Sequence, residues 1–204
     1  SISTASLLFI LFIFSGLLYG FQYSFDKIVF NENLRLLDKT WINSEYGSPG
    51  IFVETPDALV RILEKNEFLY DEFSLDSQFY FSNSNSSIEF FISNYSSNSK
   101  IEPQNFQTIL ESNLDYLETR GLQNMLLKYG EFETQNKAKG LLISGTTDFK
   151  ISDKKFKPGN YNIIGFLTET GFKTIIVLTH ETRYIDNMKD RIINSIEVLK
   201  EDKK

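Results

Sequence analysis

The chain is predicted to be an α+β protein in which a mostly antiparallel sheet is covered by helices and preceded by an N-terminal transmembrane helix. Three observations lead there. From Ser48 onward, short apolar and aromatic runs alternate with turn-forming residues, the mark of strands joined by tight connections. Two later segments, 103–121 and 183–200, carry apolar residues at helical spacing. And the opening "SISTASLLFILFIFSGLLYGFQ" contains no charge, with the first Lys or Arg at Lys27.

The 204 residues, with the opening run set aside, suit one domain with a single core. A 41% hydrophobic and 24% charged composition is that of a chain that folds. With 19 Phe, 10 Tyr, one Trp and no Cys, the core must be built on phenyl rings and aliphatic side chains, and disulfides and thiolate chemistry are excluded. The net charge of −6 argues against a nucleic-acid partner. The one basic cluster inside the domain, "DKKFK" at 153–157, reads as a solvated loop.

The opening run from Ala5 to Tyr23 is 19 residues without a charge. As a helix it would be about 29 Å long, close to the hydrocarbon thickness of a bilayer. It lacks a basic start and an Ala-x-Ala cleavage site, so a retained anchor is preferred over a cleaved signal or a buried soluble helix. On this reading Ser15, Gly16 and Gly20 form a small-residue face for packing against another membrane helix. Tyr19, Phe21, Tyr23 and Phe25 form an aromatic belt at the membrane interface. The expected organisation is an anchor over 1–24, a helical stalk or linker over 25–45, and a globular domain over 46–204. The expected location is single-pass in the membrane, with the domain on the extracytoplasmic side.

Within the domain, Ile51 and Val53 alternate after Ser48-Pro49-Gly50, and a Pro56-Asp57 turn leads to Leu59–Leu63, which predicts a first hairpin. Phe79–Phe81 and Ile88–Ile92, separated by "SNSNSS", predict a second. "PQNFQTILESNLDYLETRG" is the clearest helix. Pro103 suits its first turn, Phe106, Ile109, Leu110, Leu114 and Leu117 share a face, and Gly121 suits its end. "MLLKYGEFETQ" and "AKGLLISGTTDF" are strands joined at Asn136-Lys137. "NYNIIGFLTETGFKTIIVLTH" is a hairpin turning at Glu169-Thr170-Gly171. Ile163, Ile164 and Ile175–Leu178 are apolar on both faces, so these strands are central, whereas Lys173 near the turn is expected at the surface. "RYIDNMKDRIINSIEVLK" predicts a closing helix with Ile185, Met188, Ile192, Ile196 and Leu199 on one face.

The order of these elements, the "AKGLLISGT" strand and the closing "DRIINSIEVL" resemble the PsbP-like fold, an α/β/α sandwich, over about residues 46–200. That family has no defining catalytic motif. The resemblance implies an accessory or binding module attached to a larger assembly, and it transfers no site residue.

Enzymatic motifs are missing from the chain: no Gly-x-Gly-x-x-Gly, no phosphate loop and no Gly-x-Ser-x-Gly elbow. His180, the single histidine, stands beside Glu181 and Arg183, and "YDEF" at 70–73 offers two adjacent carboxylates; both read as structural or surface features. The expected function is therefore that of a non-catalytic accessory subunit or interaction module, without cofactor or metal. Its partners would be the subunits of a membrane protein complex, reached through the anchor and the domain, and the lipid bilayer. The alternative is a membrane-anchored domain that holds a small ligand or lipid between sheet and helix.

Overall fold

The computed structural model describes residues 4–28, 31–48, 50–62, 72–83 and 87–199, and within the first helix the side chains of residues 7–23. The chain divides into two compact units, residues 1–40 and 41–204.

The first unit holds α1 (Thr4–Ile28) and α2 (Glu32–Asp38). Asn31 caps α2, its side-chain oxygen accepting from the Leu34 N–H at 3.2 Å. Among the described residues no helix is long and apolar enough to cross a membrane, and the expected transmembrane anchor and single-pass membrane location are corrected accordingly. The unbroken apolar stretch of described side chains, Leu7–Phe14, spans only about 12 Å of helix, well short of the hydrocarbon core. Beyond it Ser15, Gly16, Tyr19, Gly20 and Gln22 interrupt the run. Ser15 Oγ donates back to the Phe12 carbonyl at 2.9 Å. A Cβ placed at Gly16 or Gly20 would meet no atom within 4 Å. Tyr19 and Phe21 are exposed, the Tyr23 hydroxyl lies 3.4 Å from Asp38 Oδ1, and the Phe25 side chain lies outside the described ones. The membrane roles expected of these residues presuppose the span and are not carried further.

The second unit contains two sheets. The small one orders β1 (Ile42–Tyr46), β2 (Ile51–Thr55) and β11 (Glu197–Val198) as β1-β2-β11. The large one runs β3 (Val60–Ile62), β4 (Phe73–Ser82), β5 (Ile88–Ser97), β10 (Gly171–His180), β9 (Lys155–Leu167), β8 (Lys139–Ser152) and β6 (Leu122–Gln123), with β7 (Lys128–Glu133) also on β8. All pairings are antiparallel.

Four expectations need correction here. Residues 42–46 are a strand and not part of a helical stalk, because they pair with β2. β2 and β3 do not form a hairpin with each other, since the Pro56-Asp57 turn passes the chain from the small sheet to the large one. "DKKFK" is a tight turn at Asp153-Lys154, followed directly by β9. The closing helix α4 (Ile185–Asn194) is shorter than its apolar periodicity implies. Ser195 ends it, its Oγ donating to the Ile192 carbonyl at 2.7 Å and accepting the Glu54 N–H at 2.8 Å. β-branched Val198 then pairs with Ile51, while Leu199 turns out to solvent.

β10 is buried along its whole length because both of its faces are covered. On one face α3 (Pro103–Thr119) packs, and Ile176 and Leu178 join Phe91, Ile163, Leu110 and Leu117 in one cluster. Phe172 lies further along the same face, with Phe106 and Tyr95. α4 contacts both β10 and β2. Gly165 on β9 leaves no room for a side chain, since a Cβ there would lie 2.7 Å from Leu110 Cδ1.

Lys173 is not at the surface. It is 3% exposed, and its Nζ donates to Asn94 Oδ1 at 2.9 Å. A position close in sequence to a turn is here paired on both sides, with Asn94 and with Phe166. Lys173→Ala is therefore expected to destabilise by about 1–3 kcal/mol, since it strands the buried Asn94 oxygen and removes packed methylenes. A urea melt showing a loss within the roughly 0.5 kcal/mol of a surface change would contradict that placement.

Candidate functional site

The features with the least structural explanation lie together between α3 and β7. After α3 ends, Gly121 takes a left-handed φ of +93°, and the chain enters β6 and then a non-strand segment, 124–127, that leads into β7. This segment is firmly held. The Leu126 N–H donates to the Thr146 carbonyl at 3.0 Å, and the Tyr161 hydroxyl donates to the Leu126 carbonyl at 2.8 Å. Asn124 Nδ2 donates to Asp148 Oδ2 at 2.8 Å, with Asn124 itself at φ 53°. Gly145 lies directly beneath: a Cβ there would collide with the Leu126 carbonyl, so only glycine allows this approach.

On that fixed backbone the side chains point outward. Leu126 is 69%, Tyr129 55% and Leu127 42% exposed. Such residues on a mobile loop would mean little; on a segment pinned at both carbonyl and amide they form a presented apolar patch. The carboxylate of Glu111 on α3 pushes the Tyr129 phenol above its usual range. Burial raises Tyr161 in the same direction, with a smaller contribution from Tyr129.

Two clefts are lined by residues of α3 and of the chain from 125 to 141. One, of about 350 Å³, lies between the start of α3 and β7–β8, with Phe106, Phe132, Leu141 and Leu167 among its walls and Glu131 and Lys139 beside them. The other, of about 440 Å³, has Met125 and Leu127 on one side and Glu111, Asp115 and Glu118 on the other. Glu111, Asp115, Glu118 and Glu131 make no ion pair with any described residue, whereas Glu133 is paired with Lys137 at 2.8 Å and its carboxyl held below the ordinary range. The acidic spacing 111, 115, 118 was visible in the sequence as one helix face. The exposure of Leu126 and Leu127 was not, because those residues read as part of a strand.

His180 lies apart from this region. It is buried, edge-on to Phe149 with ring centroids 4.0 Å apart, and its Nδ1 has no hydrogen-bond partner. Burial, aided by the charge of Lys157, pushes its pKa down to about 4 from an ordinary 6.5. Between those values the unfolded chain binds the proton and the native one does not, so the contribution to stability is full above pH 6.5 and declines as pH falls toward 4. His180→Gln is expected to flatten that part of the stability–pH curve, measured by urea melts from pH 7 to 4; an unchanged slope would place the imidazole in solvent. Of "YDEF", Tyr70 and Asp71 lie outside the described residues. Among the described residues no group of three or more His, Asp or Glu could hold a metal ion. Compared with known proteins, the chain matches no family model and no curated protein sequence.

Proposed function

We propose that residues 41–204 act as a non-catalytic interaction module, an accessory part of a larger protein assembly, and that the α3–β7 side is its binding surface. The observation that carries this reading is the exposed apolar patch of Leu126, Leu127 and Tyr129 on a backbone locked by Tyr161 and Thr146. Rigid, exposed apolar groups rimmed by polar ones are the usual mark of a surface made to be covered. The resemblance to the PsbP-like fold, with its accessory and binding modules, supports the same class. Membrane attachment is not part of this reading.

A photo-reactive amino acid at Leu127 in the native host tests it, with Asp153, on the exposed β8–β9 turn, as the control position. A discrete adduct from position 127 that is absent from position 153 is expected. Equal adducts from both positions, or none from 127, would overturn the reading. A second reading, a small apolar ligand, is favoured by the size of the cleft at Phe106 and Phe132, which falls in the range of ligand sites. Native mass spectrometry showing a bound small molecule, with no adduct at 127, would select it.

A further inference from the structure

β7 is an open edge. Among the described residues it pairs only with β8, over an uninterrupted register from Lys128↔Ser144 to Glu133↔Lys139. In an antiparallel ladder the N–H and C=O of one residue point to the same neighbour, and successive residues alternate. The Leu126 N–H meets the Thr146 carbonyl and the Thr134 N–H meets the Ala138 carbonyl, both at 3.0 Å, so the even-numbered residues face β8. Leu127, Tyr129, Glu131 and Glu133 therefore turn their backbone groups away from the sheet. Two of the usual guards are missing from β7: it has no proline, and its register with β8 has no bulge; the charges of Lys128, Glu131 and Glu133 remain to discourage indiscriminate pairing.

The two faces of this edge differ in chemistry. Tyr129 and Glu131 stand opposite Ile143 and Leu141, which belong to the α3-side core, so these odd residues share a face with α3 and its Glu111, Asp115 and Glu118, which make no ion pair with any described residue, Glu111 accepting from the neutral Gln107 side chain at 3.0 Å. Phe132 is on the other face, its ring 6.0 Å from Phe166. A strand laid along β7 would place alternate side chains among carboxylates and the intervening ones beside an aromatic ring. Pairing of two copies centred on Glu131 would set like charges face to face.

Resting on the interaction-module reading above, we infer that β7 accepts an extended cationic segment of a partner protein by strand addition, with Lys or Arg toward α3 and apolar residues toward Phe132. Main-chain hydrogen bonds hold the segment and the carboxylates select it.

The test uses the full chain and a synthetic alternating Lys-Val peptide of about eight residues, long enough to cover 127–133. Its controls are a Glu-Val counterpart and a Lys-Val peptide N-methylated at alternate positions. The Lys-Val peptide is expected to bind, to slow hydrogen exchange at Tyr129, Glu131 and Glu133, and to weaken as salt rises. Glu111→Gln with Glu131→Gln should lower its affinity at least about tenfold while leaving the melting temperature near that of the parent. Equal binding by the N-methylated peptide would mean charge attraction without strand pairing and would overturn the inference. So would equal binding by the Glu-Val peptide, protection confined to other segments, or formation of a dimer through β7. Failure here together with a specific adduct at Leu127 would reject strand addition and leave the interaction module standing, whereas loss of the adduct rejects both.

Discussion

Phe172→Ala is expected to cost about 3–5 kcal/mol of stability, the range for emptying an aromatic site in a packed core. Phe172 is fully buried, stacked on Tyr95 at 4.6 Å and edge-on to Phe73 at 5.2 Å, with Phe106 of α3 6.0 Å away. Three rings from three elements converge on one side chain. Its loss removes the transfer free energy and leaves a cavity whose walls are held by separate strands and a helix, so the site can collapse only in part. Chemical denaturation measures the change directly. A loss under about 1 kcal/mol would mean that the β10 register is off by one, since a one-residue slip exchanges the faces of the strand.

Ile176→Ala should cost about 2–5 kcal/mol, and Ile176→Val only about 0.5–1.5. Ile176 is 3% exposed, opposite Ile163 on β9 and Phe91 on β5, under Leu110 and Leu117 of α3. It sits four residues along the same face from Phe172, roughly 13 Å away. The two substitutions are expected to add within about 0.5 kcal/mol. A large coupling between them would show that the two aromatic and aliphatic clusters respond as one unit. Equal losses for Ile176→Ala and Ile176→Val would mean that the side chain does not fill the space assigned to it.

Much of this core was legible from periodicity. The α3 face of Phe106, Ile109, Leu110 and Leu117 is buried as its spacing predicts, and the doubly apolar runs at Ile163–Ile164 and Ile175–Leu178 are central strands. The errors fall where a local pattern admits two partners. Residues 51–62 contain two strands and a turn, as read, but nothing in them says that the strands join different sheets. Ile196, Val198 and Leu199 fit a helical stripe as well as a strand, and the choice is made by Glu54, whose N–H captures Ser195 from 141 residues away. The opening run was apolar enough in the sequence to suggest an anchor, yet among the described residues no helix meets the length and hydropathy that a span requires.

The candidate site was less legible still. Glu111, Asp115 and Glu118 could be placed on one helix face by spacing alone, and Gly145 could be seen as a glycine within a strand. By itself the sequence determined the aromatic, cysteine-free core, the α3 helix and the β4–β5, β7–β8 and β9–β10 hairpins, because each depends on side-chain period and turn chemistry within a few residues. Only the tertiary structure decided that β7 pairs with β8 alone among the described residues, that Lys173 is buried against Asn94, and that Leu126 and Leu127 face solvent above Gly145. Those outcomes depend on contacts between residues far apart in the chain, where the burial of one group is set by the shape of another and not by its own neighbours in sequence.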